Sequence, residues 1–284
     1  MATTIVTIPR TRSRRSATAS TGTAALTGGL AILAIVAIAS IVGPWITGFD
    51  PNANDLGARF QAPGTTHWFG TDHLGRDVFT RVLVAGRLDL PLALLGALFP
   101  AIIGITLGSL AGYFGGAVST GVLRLADLIQ AFPAYILVIA LVIVLGPGPK
   151  SFLVGAAIGA WVTYARLMRG VVARIRTSDY IAAAQTAGLG HRRVVTRHVI
   201  PNALPQAIVY AASDVVLALA FLCSLSYLGL GVQPPGVEWG QMIAEGQSFL
   251  RVQWWISIMP GLAIVLVGVA FRLIATGLER RMTR

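Results

Sequence analysis

The sequence predicts an all-α integral membrane protein with six transmembrane helices and both termini on the cytoplasmic side (N-in/C-in), and three observations carry this. The 284 residues are 55% hydrophobic and 12% charged, with mean hydropathy +0.74. Soluble domains carry about 25% charged residues, and about 20 consecutive apolar residues cross a bilayer as one helix. Six apolar runs stand between polar, turn-rich or basic connections. The basic residues also alternate in density. Arg10, Arg12, Arg14, Arg15, Arg124, seven arginines between Arg166 and Arg197, and Arg272, Arg280, Arg281 and Arg284 fall on one side. Only Arg59, Arg76, Arg81, Arg87, Lys150 and Arg251 fall on the other. Loops rich in Lys and Arg stay in the cytoplasm. The net charge of +11 therefore reads as membrane orientation, with lipids and no nucleic acid as the expected surroundings.

Residues 1–23 are rich in Thr, Ser and Arg without an acid, and read as a disordered cytoplasmic tail. Ser13-Arg14-Arg15 and Ala37-Ile38-Ala39 faintly imitate an export signal. However, the apolar run Ala24 to Trp45 exceeds the roughly 7–15 residues of a signal core, so residues 24–46 are assigned to an uncleaved first span. Residues 47–88 follow as an extracytoplasmic loop, with Asp50-Pro51-Asn52 and Ala62-Pro63-Gly64 as turns and its arginines balanced by aspartates. His67, His73 and Asp72 lie there without a recognised ligand spacing, so no metal is expected.

Residues 89–276 hold the other five helices. Leu90 to Gly112 is the second span and Val122 to Leu145 the third, kinked at Pro133. Arg124 and Asp127 are placed to pair at i,i+3. Gly146-Pro147-Gly148-Pro149-Lys150-Ser151 lacks the Gly before Lys and the preceding strand of a phosphate-binding loop, and reads as a tight outer turn. Phe152 to Leu167 opens the fourth span, Ala203 to Leu230 is the fifth and Trp255 to Thr276 the sixth, with Trp254-Trp255 as an interfacial belt. Residues 277–284 form a second cytoplasmic tail. Asp214 is an ionisable residue inside a span and is the deep polar candidate. Cys223, the only cysteine, allows no intrachain disulfide and reads as a packing residue. No catalytic constellation is present, so no enzyme is expected.

The cytoplasmic stretch 166–202 holds Asp179-Tyr180-Ile181-Ala182-Ala183-Ala184, then Gly188, and later Ile200-Pro201. Alanines favour helix and let a partner approach closely, and Gly188 and Gly190 break the helix. This pattern resembles the coupling loop of ABC importer permeases, with Ala182 standing where that family carries a glutamate. Gly70-Thr71-Asp72 with Gly75-Arg76-Asp77 resembles the signature of the dipeptide, oligopeptide and nickel importer branch. Leu225-Ser226-Tyr227-Leu228-Gly229-Leu230-Gly231, followed by Trp239-Gly240, is similar to another hallmark of that branch, with Leu222 at a position usually held by glutamate.

The resemblance implies the second permease type of a binding-protein-dependent importer, in a bacterial or archaeal cytoplasmic membrane, with the transmembrane fold of type I ABC importers. Peptides are the implied solutes, with nickel and glutathione as alternatives within the branch. A homologous permease, two ATPase subunits and an extracytoplasmic solute-binding protein are the implied partners. ATP and Mg2+ are expected on the ATPases and no cofactor on this chain. Asp72, Arg76 and Asp77 are expected to order their loop. Two rivals are weaker: a transporter acting alone would need symmetric halves with deep ionisable groups, and an uncoupled scaffold rests only on Ala182 and Leu222.

Overall fold

The computed structural model describes residues 12–282, with side chains from residue 22; residues 1–11 and 283–284 of the expected tails lie outside the described residues. The described residues form helices joined by turns, with one isolated antiparallel bridge between Thr71 and Asp77. Among the described residues, five helices are long and apolar enough to cross a membrane, six if one bent pair counts as a single span.

Helix α1 runs Arg12–Thr47, so residues 12–23 continue the first helix backward rather than forming an irregular tail. Helix α2, Val78–Phe114, begins earlier than the apolar run suggested. Arg81 and Arg87, assigned to the outer loop by the sequence, lie inside it, as does Asp89. Each meets a neighbour, which eases the entry of a charge into a buried helix, while the second oxygen of Asp89 is buried without a hydrogen-bond partner among the described residues. Arg81 meets Glu245, Arg87 donates to the carbonyls of Ser40 and Ile41, and Asp89 accepts from the Trp239 amide. The outer loop therefore ends at Asp77 instead of residue 88.

The third span is broken rather than kinked. Helices α3, Gly116–Gln130, and α4, Ala134–Leu145, meet at 81°. Pro133 supplies no N–H and holds an extended ψ of 131° at the start of α4, so the helix restarts instead of bending. Helix α5, Pro149–Arg176, carries Arg166, Arg169, Arg174 and Arg176 on its cytoplasmic extension, so the expected 166–202 loop opens on a helix.

Helices α6, Asp179–Thr186, and α7, His191–Val194, follow; a π-helical turn at Val195–Val199 then leads into α8, Ile200–Tyr227. The stretch His191–Tyr227 is one continuous helical run, so the fifth span begins well before Ala203. Residues 228–238 fold back into the bundle, bringing Gly240 of α9 (Trp239–Gly246) against the backbone of Cys223. Helix α10, Trp255–Met282, closes the bundle. Trp255 is 7% exposed and its indole donates to the Thr71 carbonyl, so only Trp254 of the expected belt lies open.

Between apolar helices in lipid, close van der Waals contact replaces the hydrophobic drive, and small residues permit it. Gly104, Gly108 and Gly112 form such a stripe on α2. A side chain at each would collide with the α5 backbone at Trp161, Ala165 and Arg169. Gly29 and Gly277 do the same between α1 and α10. The main apolar core lies around Phe152, Leu219, Leu222, Trp239 and Val267, with Cys223 packed in it. A second, smaller cluster sits at the cytoplasmic end around Tyr113, Met168, Ile181, Val194 and Val199.

Candidate functional sites

The outer loop is built as a closed polar lattice. Asp77 caps α2, accepting from the Thr80 amide at 2.7 Å and its hydroxyl at 2.6 Å, while its second oxygen meets His67 Nδ1 at 2.9 Å. Asp72 accepts from the amides of Leu74 and Arg76 at 2.8 and 3.0 Å and pairs with Arg76 Nε at 2.6 Å. Arg76 and Arg81 both reach Glu245 on α9, at 2.7 and 3.3 Å.

The small residues of the signature serve the same lattice. Gly70 and Gly75 hold φ of +71° and +75°, and a side chain at either would strike the carbonyl of Gln61 or Asp55. Thr71 is buried and donates to the Ala58 carbonyl. Every residue of the signature thus has a structural partner. Arg81 and Glu245 belong to the lattice but were missed, because Arg81 was read as loop charge and Glu245 lies far along the chain. Asp72, His73 and Glu245 converge within 4.8 Å, yet both carboxylates are committed to Arg76 and Arg81, so the group is an ion-pair cluster in its present form.

At the end of α8, Gly229 takes φ +77°, its amide donates to Ser226 and the Leu230 amide donates to Leu225. This is a Schellman stop, which favours glycine at that position. The residue at Leu228 is exposed, and Gly231 is held against Ser226 too closely for a side chain. Leu222, at the glutamate position of the branch, is fully buried in the main core.

The cytoplasmic side is built differently. Helix α6 carries Asp179 in its first turn, where an acid favours the helix dipole. It ends in the same Schellman geometry: Gly188 has φ +79°, its amide donates to Gln185 and the Leu189 amide donates to Ala184. Nothing lies within 4 Å of a side chain placed at Gly188, so its requirement is conformational and not spatial. Gly190 has an ordinary φ of −62° and caps α7, so it does not share that requirement.

Ile181 is fully buried and anchors α6 in the second cluster, while Tyr180, Ala182 and Ala183 face outward. Tyr113 on α2 receives Gln185 Nε2 at 3.3 Å and meets His191 Nδ1 at 2.9 Å, tying the short helix to a long one. Pro201 lies at the start of α8, directly after the π-helical turn Val195–Val199, and Asn202 donates to the His198 carbonyl.

The remaining polar candidates separate. Asp127 pairs with Arg166 at 2.9 Å and not with Arg124, because the α3–α5 packing brings Arg166 to it. Asp214 accepts from the Tyr164 hydroxyl at 2.9 Å and borders a cavity of about 810 Å³. It is not the only deep acid: Asp89 and Glu238 are fully buried, Glu238 capping α9 through the amides of Gly240 and Gln241. Folding back of the 228–238 segment brings Glu238 into the bundle and the Trp239 amide onto Asp89, which local hydropathy does not reveal.

Residues 104–284 match the family described as binding-protein-dependent transport system inner membrane component, and residues 24–63 match the N-terminal transmembrane domain of oligopeptide transport permease C. The chain is 37% identical over 248 residues to the probable D,D-dipeptide transport system permease protein DdpC of Escherichia coli K12, covering 87% of this chain and 83% of that one. It is 35% identical to the nickel transport system permease protein NikC of the same organism, covering 88% and 90%. The glutathione transport system permease protein GsiD of Pectobacterium atrosepticum is 35% identical, covering 90% and 85%. A chain of the inward-facing MetNI methionine ABC transporter superposes with TM-score 0.56 at 18% identity, covering 72% of this chain and 97% of that one.

Proposed function

The chain belongs to the family of binding-protein-dependent transport system inner membrane components, and from that premise we propose that it forms, with a second homologous permease, the path by which peptides cross the membrane. It is a multi-pass protein of the cytoplasmic membrane and an ABC importer permease of the dipeptide, nickel and glutathione branch, not an enzyme. Peptides are favoured by the match of its first span to oligopeptide permease C and by its similarity to DdpC.

In this reading α6 docks on a cytoplasmic ATPase. The observation that carries it is a short helix with an open alanine face, anchored by Ile181 and ended by a left-handed Gly188. ATP and Mg2+ are bound by two ATPase subunits, and a solute-binding protein delivers cargo outside. Closing of the ATPases moves α6. Tyr113 and the continuous helical run from His191 carry that movement into α2 and α8. The outer lattice stays rigid while the cytoplasmic end shifts, which alternates access to the mid-depth cavity.

Gentle extraction of the tagged chain, with mass spectrometry of what accompanies it, tests this reading. An ATPase and a second multi-span permease are expected. Recovery of the chain alone or as a homodimer, with the ATPases expressed, would contradict it.

A further inference from the structure

Asp214 is the one charged side chain among the described residues lining the 810 Å³ cavity; Gln130, Tyr135, Thr163, Tyr210 and Ser224 supply the polar remainder. Thr163 lies midway along α5 and Gly96, another lining residue, midway along α2, which places the cavity near the centre of the bundle. The space is wide enough for water and for a small solute. The break between α3 and α4 opens onto it, so both a helix C-terminus at Gln130 and a helix N-terminus at Ala134 reach the lining. Their partial charges are opposite in sign. A full carboxylate therefore decides the balance, with the Tyr164 hydroxyl orienting one oxygen. An ionisable group in a span without an ion-pair partner is costly and marks a functional path.

We infer that this cavity is a cation-accepting station, in which Asp214 receives the positively charged group of the passing solute, a protonated amine. The inference rests on the reading of this chain as a permease wall. It adds a selectivity that the branch assignment does not contain: solutes with an ammonium group are held at mid-depth, and anionic ones are disfavoured.

The test uses the full chain in its membrane with one reporter thiol. Cys223→Ala removes the only native cysteine, and Leu217→Cys places a thiol one helical turn from Asp214, on a cavity-lining residue that is 62% exposed. Modification rates are compared for a cationic and an anionic methanethiosulfonate of similar size. With Asp214 intact, the cationic reagent is expected to be preferred about tenfold beyond the ratio both reagents show toward free cysteine, the effect of one charge a helical turn away in aqueous surroundings. Asp214→Asn removes that preference and Asp214→Glu retains it.

A ratio equal to that of free cysteine with Asp214 present, or a preference unchanged by Asp214→Asn, overturns the inference. The first arm needs no Asp214 variant, so a variant that fails to fold leaves the result decided. Labelling also needs no partner chain, so its failure is separate from a failure to recover an ATPase.

Discussion

The outer loop and the cytoplasmic loop carry similar densities of charge but spend it in opposite ways. Outside, Asp72, Asp77, Arg76 and Arg81 are buried or nearly so, and each meets its partners inside the chain. Inside, Asp179, Arg174, Arg176, Arg192 and Arg193 are exposed, and α6 is held chiefly by Ile181 and the Tyr113 bonds. A region whose polar groups are internally satisfied is set up to keep one shape. A region that leaves its backbone caps and charges at the surface is set up for a partner. Rigidity on one side and an open helix on the other suit the lever proposed above.

Substitutions separate the two regions. The two positions where the branch carries glutamate give the widest contrast. Leu222→Glu places a charge in the main apolar core, and burying an unpaired charge is costly enough that the chain is expected not to accumulate in the membrane, as read by immunoblot. Arg81→Ala, which leaves Glu245 and Asp72 short of a partner in a buried cluster, is expected to cost about 3–5 kcal/mol, seen as a lower midpoint in thermal aggregation of the extracted protein. Asp77→Ala removes the cap of α2 and is expected to cost about 1 kcal/mol by the same assay. Ala182→Glu, on the open face of α6, is expected to stay within about 0.5 kcal/mol of the parent and to leave ATPase docking intact or strengthened in co-purification. A large loss of stability from Ala182→Glu would break the contrast.

Much of this was legible in the chain. Apolar runs mark the five long helices and the broken pair α3–α4, and Gly104, Gly108 and Gly112 stand four residues apart in plain view, a spacing that marks close helix contact. Gly70, Gly75, Gly188 and Gly229 were each singled out, and each holds a positive φ. What stayed hidden depends on long-range contact. Arg81 and Arg87 look like loop residues until their partners, Glu245 and Ser40, are folded against them, and Asp89 meets the Trp239 amide only in the folded chain. Asp127 chose Arg166 over Arg124 because a neighbouring helix came closer than its own next turn. Pro133 announced a disturbance, but whether a span bends or breaks depends on the packing of both halves.

The most direct test of the central claim pairs two glycines of nearly equal φ, Gly75 outside at +75° and Gly188 inside at +79°. A β-branched residue in the left-handed region costs at least about 1–2 kcal/mol. At Gly75 the side chain also strikes the Asp55 carbonyl, whereas at Gly188 it meets nothing. The measurement is ATP hydrolysis against solute uptake in the assembled transporter, alongside membrane yield. Gly75→Val is expected to lose yield. Gly188→Val is expected to keep yield and lose uptake, with hydrolysis no longer tied to transport. Normal uptake at a normal hydrolysis ratio in Gly188→Val would contradict the role assigned to the cytoplasmic loop.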